Sequence, residues 1–521
     1  MGRDALAYRR ADGLVFRWMR GSVLVGGPDR ATQRLEGMAA LVWMALDSPA
    51  AGPDVERRLQ HAWSDLAGSD AVKESTARVS DVLELLVKAD LVIVDSSPPE
   101  AEMAPKLSRS SSDDVEASGP SCRGHISLPA LAAEEPGRIG SGPDSLGAPA
   151  PTIERALAGL VGWLLPGAPP LCGLTDPADL ASLVGAADTQ GVLGHLLVAV
   201  DGGAMELSPE LVDLAATRHE ASLIWCMKVE DRLLEVNSWF ADIGDIGHLV
   251  VKGPAVAHLD AQAPALRPFA DLDVLVPGRE FDQAVGALLD HGGARDYAER
   301  RPGFDRRFGK SVTVTLPDKV QVDVHRTLCD GTHGFRIPLG RLFDEATTFP
   351  LSGVEVSTLS HRHRALHAAY HGVLGSVVPP LRTLRDLAGY LTHPDLTPEV
   401  LAAEARVWRG EAVLAEAVAA TFDVLDFDAP AWQRWLDGVE IDPAEARIVA
   451  EQRVESGSFG LAKVAALREL APRDRLAYAV AVAVPSSAHL QSRGVGRFAV
   501  LRTAAARLGG PRWREPARLD A

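Results

Sequence analysis

The sequence predicts an α+β protein with two folded units, and three observations support this class. Residues 97–150 are rich in Ser, Pro, Gly and acidic residues and show no hydrophobic period, which predicts a disordered linker. The alternation typical of strands is concentrated in residues 248–355, and helical periods lie on both sides of it. The predicted domains are a unit at 1–96, a helical part at 151–247, a mixed sheet flanked by helices at 248–355 and a helical C-terminal domain at 356–521.

The first unit is predicted to be small and winged-helix-like. Its predicted elements are paired strands around Gly21, helices at 35–47, 53–66 and 75–89, and a closing strand at 91–95. The third helix carries an apolar stripe that includes Leu83 and Leu85. Many winged helices bind DNA, but residues 1–95 contain 12 Lys and Arg against 14 Asp and Glu. This net charge of −2 lacks the positive surface that phosphate binding requires.

One run in this unit carries a family likeness. The run Leu35-Glu-Gly-Met-Ala-Ala-Leu-Val-Trp-Met-Ala-Leu-Asp47 resembles the PqqD-like family. These domains are the RiPP recognition elements of enzymes that modify ribosomally made peptides. The resemblance implies that a leader peptide adds a strand to a free sheet edge next to the third helix. Trp43 is expected in the core rather than at the peptide.

Three aspartates on predicted strands point to a metal site. Asp271 and Asp273 are two residues apart, so a strand turns both carboxylates to the same face. Residues 311–326 predict a hairpin whose second strand places Asp323 on one face with His325. Close carboxylates repel unless a cation joins them, and Mg²⁺ prefers carboxylate and phosphate oxygens.

Two further elements precede the aspartates. Lys252 and Gly253 follow a short apolar strand, where a glycine lets backbone amides approach an anion, and Arg267 stands four residues before Asp271. In this order, the elements resemble the polymerase-beta-type nucleotidyltransferases, and within them the bacterial uncharacterised nucleotidyltransferase family. The likeness runs from about residue 152 to about 395 and includes the helical segment at 381–391.

The resemblance implies a set of roles for these residues. Asp271, Asp273 and Asp323 are the implied catalytic residues and ligands of two Mg²⁺ ions. A nucleoside triphosphate, with ATP as the first choice, is the implied co-substrate. Its phosphates would be held by Lys252, Gly253 and Arg267.

Other charged residues have simpler interpretations. Arg267 could form an ordinary ion pair with Asp271. His325 could be a structural residue that supports the end of its strand. The basic loop at 299–310 could hold a triphosphate or be a solvated charge run. His363, His367 and His371 share one helical face, but we expect no metal there because the sequence shows no paired carboxylate.

Net charge, cysteine spacing and the longest apolar run indicate which partners and which compartment to expect. The net charge of −17 disfavours extended contact with nucleic acid. The four cysteines lack metal-type spacing, and no signal peptide precedes the first strand, so we expect a reduced, cytoplasmic protein. The apolar run at 476–484 is too short to cross a membrane and is predicted to be a buried helix.

The combined prediction is a Mg²⁺-dependent nucleotidyltransferase that modifies a precursor peptide bound through its leader. Other peptide-modifying enzymes are possible further partners. Two alternatives stay open: transfer to a small molecule such as an aminoglycoside, or a non-catalytic adaptor that presents a peptide. The presence of all three aspartates argues against the adaptor.

Overall fold

The computed structural model describes most of the chain outside the predicted linker. The described residues are 7–11, 13–19, 22–27, 30–46, 50–51, 53–55, 57–59, 79–95, 151–168, 171, 173–376, 378–454 and 466–494. The predicted linker at 97–150 lies outside them. Two compact units fall within residues 1–134 and 135–521. The α+β class, the mixed sheet flanked by helices and the helical C-terminal region are confirmed.

The N-terminal unit contains two three-stranded sheets. Its elements are β1 (Ala7–Arg10), β2 (Val15–Met19), β3 (Ser22–Gly27), β4 (Arg30–Glu36), α1 (Gly37–Ala45), β5 (Ala50–Ala51), α2 (Val79–Lys88) and β6 (Val92–Asp95). The strand orders are β5-β1-β6 and β2-β3-β4. Trp43 is fully buried among Val23, Val25 and Leu83, as expected for a core residue.

Two details of this unit differ from the sequence prediction. Leu35 lies on β4 rather than on a helix, because β4 continues its pairing with β3 as far as Glu36. The sequence groups Leu85 with the other apolar residues of the third helix, such as Leu83, but Leu85 is 62% exposed whereas Leu83 is buried. Only part of the helix predicted at 53–66 falls within the described residues.

Along the chain, helices of the second unit come before, between and after the strands of its sheet. They are α3 (Pro151–Gly162), α4 (Pro177–Thr189), α5 (Leu193–Asp201), α6 (Pro209–Asp242), α7 (Gly253–Leu259), α8 (Phe281–Asp290), α9 (Phe304–Phe308), α10 (Gly331–Arg336), α11 (Leu339–Asp344), α12 (His361–Leu374), α13 (Leu381–Leu391), α14 (Pro398–Val407), α15 (Glu411–Leu425), α16 (Pro430–Gly438), α17 (Pro443–Val454), α18 (Pro472–Ala483) and α19 (Ser487–Ser492).

One seven-stranded mixed sheet positions the candidate site. Its strands are β7 (Leu249–Val250), β8 (Leu272–Leu275), β9 (Ala294–Arg295), β10 (Ser311–Thr315), β11 (Gln321–His325), β12 (Thr347–Leu351) and β13 (Val354–Thr358), in the order β12-β13-β7-β8-β11-β10-β9. The β10–β11 hairpin is confirmed. Strands β8 and β11 are parallel neighbours, and the residues that flank Asp273 and Asp323 along these strands, Leu272, Val322 and Val324, are fully buried.

The long helix α6 supports the sheet. The Lys228 ammonium donates to the carbonyl of Asp318 at 2.6 Å, and the Arg232 Nε donates to the Asp318 carboxylate at 2.9 Å. Leu223 and Met227 of the same helix are buried. Helix α6 therefore holds the hairpin turn in place.

The last helices differ from the sequence prediction. Helix α18 was predicted to be buried, but Leu476 is 73% exposed and Val480 is 40% exposed. Its other face covers α9, where Tyr478 stacks on Phe304 at a centroid distance of 6.0 Å. None of the described helices is long and apolar enough to span a membrane.

The basic loop contacts these C-terminal helices. Arg307 donates to Asp474 at 2.5 Å, and Arg301 donates to the carbonyl of Val484 at 2.9 Å. The Ser486 amide donates to the carbonyl of Arg300 at 2.8 Å. The guanidinium groups of Arg301 and Arg307 therefore help to attach α18 to the basic loop, and the Arg300 carbonyl helps to attach the start of α19. Neither sequence interpretation of the loop included this role.

Candidate active site

Parallel pairing of β8 and β11 brings two carboxylates side by side. Asp273 and Asp323 are register partners in these strands. Oxygen or nitrogen atoms of Asp273, Asp323 and His325 lie within 4.8 Å of one another, and the described residues contain no other such group of three. Asp271 directly precedes β8 and lines the adjoining pocket with Asp273. The structure thus brings together all three aspartates that the sequence predicted.

Asp273 is held in its charged form from two sides. Its Oδ1 accepts a hydrogen bond from the Lys252 Nζ at 2.7 Å, and the His325 Nε2 lies 2.7 Å from the same oxygen. Burial alone raises the pKa of Asp273, but Lys252 and His325 together bring it well below the usual range. His325 is fully buried and is thus a partner of Asp273, not merely a residue at the strand end.

Asp271 has the opposite electrostatic environment. Burial raises the pKa of its carboxyl, and the negative charge of Asp273 raises it further. Lys252 and Arg382 oppose this increase without cancelling it. A carboxylate in this position favours either a proton or a cation. Asp323, by contrast, accepts a hydrogen bond from the Thr313 hydroxyl across the hairpin.

Lys252 and Gly253 lie at the turn between β7 and α7. Gly253 has a φ of +40°, a conformation that favours glycine. Both residues line a cavity of about 110 Å³ together with Asp271 and Asp273. Pockets for whole organic ligands usually measure about 300–1,000 Å³, so this cavity suits small charged groups such as phosphates.

Arg267 is committed to another carboxylate. Its Nε and Nη2 donate to the two oxygens of Asp386 at 2.8 and 2.7 Å, and its Nη1 donates to the carbonyl of Pro268 at 3.1 Å. The alternative pairing of Arg267 with Asp271 is therefore wrong. Arg267 still lines the cavity, in the wall next to α13.

The sequence interpretation missed Arg382. This residue lies on α13, lines the cavity and donates from Nη1 to the carbonyl of Pro268 at 3.0 Å. Arg382 and Asp386 stand four residues apart on one face of the helix, and this spacing could have indicated that they work together. Burial, followed by the nearby charge of Arg267, lowers the pKa of Arg382 to about 10, so the guanidinium stays positive at neutral pH.

Helix α6 holds the backbone that leads into Asp271. The Trp225 Nε1 donates to the carbonyl of Ala270 at 2.8 Å. The Cys226 Sγ lies 3.2 Å from both the amide nitrogen and the carbonyl oxygen of Phe269. These contacts restrain Phe269 and Ala270, the two residues before Asp271. The sequence pattern does not reveal this restraint.

Three histidines of α12 do not point to one common ligand position. The three histidines face different partners, although His363 does have carboxylates nearby, unlike the sequence expectation. The distances are 3.4 Å from the His363 Nε2 to both Glu345 and Glu404, 2.9 Å from the His367 Nδ1 to the Val251 carbonyl, and 3.1 Å from the His371 Nδ1 to the Thr383 hydroxyl. Burial lowers the pKa of His367 to about 3, which keeps its ring neutral.

The donor set at the aspartates fits a divalent cation. Carboxylate oxygens are the ligands that Mg²⁺ prefers. The pKa of Asp271 is raised by burial and then by the charge of Asp273, and a bound cation would oppose both effects. The Oδ1 of Asp273 is occupied by Lys252 and His325, so its Oδ2 remains the natural ligand atom. The arrangement can therefore place a divalent ion next to a cavity lined by cationic side chains.

Comparisons with known proteins add one finding. No curated protein and no solved structure matches the chain. Residues 176–426 match the family model described as "Uncharacterised nucleotidyltransferase". This match does not include the N-terminal unit, so the PqqD-like assignment remains a prediction. The matched segment contains Lys252, all three aspartates and Arg382, and the match supports nucleotidyl transfer as the function of this part of the chain.

Proposed function

We propose that this protein is a Mg²⁺-dependent nucleotidyltransferase of polymerase-beta type that acts on a ribosomally made precursor peptide. The nucleotidyl group comes from a nucleoside triphosphate, with ATP as the first choice. The observation that carries the proposal is the pairing of Asp273 with Asp323 in parallel strands, next to Asp271 and Lys252. These residues lie within the segment that matches the nucleotidyltransferase family model.

The proposed reaction is an in-line displacement at the α-phosphorus. An oxygen of a Ser or Thr hydroxyl, or of a carboxylate, forms a bond to this phosphorus. The bond from the phosphorus to the bridging oxygen breaks, and its electron pair leaves with pyrophosphate. Where the acceptor is a hydroxyl, its proton passes to the Asp323 carboxylate, which is 24% exposed and can reach the substrate.

The residues of the site divide this work between them. In the proposal, Asp271, Asp273 and Asp323 would hold two Mg²⁺ ions, which would supply positive charge to the acceptor hydroxyl and to the departing pyrophosphate. Lys252, Gly253 and Arg267 line the cavity that receives the phosphates. The small cavity volume, about 110 Å³, agrees with a site for phosphate groups rather than for the nucleoside.

The edge of one N-terminal sheet supports the peptide part of the proposal. Within the part of this unit that the structure describes, β4 pairs with β3 alone. Residues 31–34 of β4 are exposed, so an extended peptide can add to this edge by main-chain hydrogen bonds. The net charge of −2 over residues 1–95 favours a peptide over DNA.

One experiment tests the proposed function. The full chain is incubated with Mg²⁺, each nucleoside triphosphate and a precursor peptide encoded near its gene, and the peptide is analysed by mass spectrometry. We expect a mass increase of one nucleotidyl group, which is lost in the Asp273→Asn variant. A phosphate-sized increase would identify a kinase. An unmodified peptide would favour a small-molecule acceptor or the adaptor, and an aminoglycoside tested in parallel separates these two.

A further inference from the structure

The cavity beside the aspartates contains four cationic side chains, and three of them already have a carboxylate partner. Lys252 pairs with Asp273 at 2.7 Å, and Arg267 pairs with Asp386 at 2.7 Å. Arg364 forms two hydrogen bonds of 2.7 Å with the carboxylate of Asp260. These pairs neutralise most of the positive charge in the wall.

Arg382 is the exception. Among the residues that the structure describes, no carboxylate lies within the 4.0 Å limit of an ion pair with its guanidinium. Its one hydrogen bond to the described residues goes from Nη1 to the carbonyl of Pro268. A guanidinium has five N–H donors, so the N–H groups on Nε and Nη2 of Arg382 can donate to a ligand in the cavity.

The position of Arg382 also suits a phosphate beside the metal ligands. Arg382 lines the same cavity as Asp271 and Asp273, and it is close enough to Asp271 to influence its charge. An arginine fork matches the oxygens of a phosphate group and binds two of them at once. A buried cation without a carboxylate partner is costly unless an anion completes its environment.

We propose that Arg382 binds the β- and γ-phosphates of the nucleotide, and that Arg267 instead positions α13 through Asp386. This inference rests on the proposed function, because it concerns the same nucleotide site. It replaces Arg267, the arginine that the sequence indicated, with one on a helix 115 residues further along the chain. Within the described residues, Arg267 donates hydrogen bonds from Nε, Nη1 and Nη2, whereas Arg382 donates from Nη1 alone.

Binding of inorganic pyrophosphate, ATP and AMP to the full chain with Mg²⁺ tests the inference, by isothermal titration calorimetry. Arg382→Gln should weaken pyrophosphate and ATP binding by roughly tenfold or more, since a hydrogen bond to a charged group is lost. AMP binding should change less, because AMP lacks the β- and γ-phosphates. The matched control is Arg385→Gln, on the same helix. The Arg385 Nη1 donates to the carbonyl of Trp163, just after α3, and Arg385 does not line the cavity. This control should leave all three affinities within about twofold.

A second variant covers the case in which Arg382→Gln does not fold. Arg382 is half-buried, and Arg382→Lys keeps its charge but removes the fork. This variant should weaken pyrophosphate binding about threefold or more at an unchanged melting temperature. Pyrophosphate binding at the wild-type level in either folded variant would overturn the inference. So would an effect of Arg267→Gln on pyrophosphate that exceeds the effect of Arg382→Gln. If the wild-type chain binds neither pyrophosphate nor ATP, the proposed function fails together with the inference.

Discussion

The Nζ of Lys252 lies 2.7 Å from the Oδ1 of Asp273, and this contact makes the two neighbouring aspartates unequal. His325 occupies the same oxygen from the other side, at 2.7 Å. Asp273 is therefore held as a carboxylate before any metal binds, whereas the pKa of Asp271 is raised by burial and by the charge of Asp273. Asp273 is thus a stable anion without a metal, whereas the charged form of Asp271 depends on a nearby cation.

The first prediction concerns the stability of the metal-free protein. Asp273→Asn should lower the free energy of unfolding by about 3 kcal/mol, because Lys252 and His325 lose a buried anionic partner. Asp271→Asn should leave stability unchanged or raise it, since it removes an unfavourable charge. Urea denaturation at pH 7 with EDTA measures both variants. Equal losses of stability would contradict the unequal roles.

The second prediction is the pH dependence of the same measurement. The pKa of Asp271 is raised above its ordinary 3.8, so the folded state binds a proton more tightly than the unfolded state. The contribution of Asp271 to stability therefore falls as pH rises from about 4 through the raised pKa. Asp271→Asn lacks this loss, so its advantage over the wild type should grow from pH 4 to pH 7. Mg²⁺ should reduce the advantage, because the ion stabilises the carboxylate of the wild type. An advantage that is constant with pH would contradict the raised pKa.

The sequence predicts the strand-borne part of the site because alternation is a local pattern. A period of two places Asp271, Asp273 and Asp323 on defined faces, and the Pro317-Asp318 turn sets the hairpin that carries Asp323. Contacts between distant segments were not predictable in this way. Arg267 and Asp386 are 119 residues apart, and only the contact of α13 with the segment before β8 brings them together.

Exposure was similarly difficult to predict from apolar composition. The run at 476–484 is almost entirely apolar, which suggests burial, yet α18 uses only one face to contact α9. Leu85 is exposed for a comparable reason, since it points away from the core face that contains Leu83 and Leu86. Composition indicates how much apolar surface a helix has, whereas tertiary packing decides which side is covered.

The third prediction tests whether His325 supports Asp273. His325→Ala should lower stability by about 2–3 kcal/mol, because it empties a fully buried position and removes a donor from the Asp273 carboxylate. It should also weaken Mn²⁺ binding, measured by electron paramagnetic resonance. His325→Gln can donate from its amide to Asp273 and should recover part of the Mn²⁺ affinity. If Ala and Gln bind Mn²⁺ equally well, His325 is only a strand-end residue.

The fourth prediction concerns the third carboxylate. Asp323→Ala should reduce Mg²⁺-dependent ATP binding and abolish transfer, since it removes a metal ligand and the proposed base. Asp318→Ala is a suitable control, because Asp318 lies in the same hairpin but pairs with Arg232 of α6. The control should retain most of the transfer activity. Transfer at a near-normal rate by the Asp323→Ala variant would remove Asp323 from the site.

The last prediction concerns peptide binding by the N-terminal unit. If a leader peptide adds to the β4 edge, a proline in β4 should weaken its binding, because proline lacks the amide that donates to the added strand. Thr32 is exposed and has no register partner in β3, so Thr32→Pro in the full chain should reduce leader affinity about tenfold with a small change in melting temperature. Thr32→Ala keeps the amide and should bind like the wild type. Titration with a fluorescent leader peptide measures all three proteins, and a duplex DNA of similar length is the comparison ligand. Saturable binding of DNA instead of leader, or equal leader affinities for the Pro and Ala variants, would show that the β4 edge does not hold the peptide.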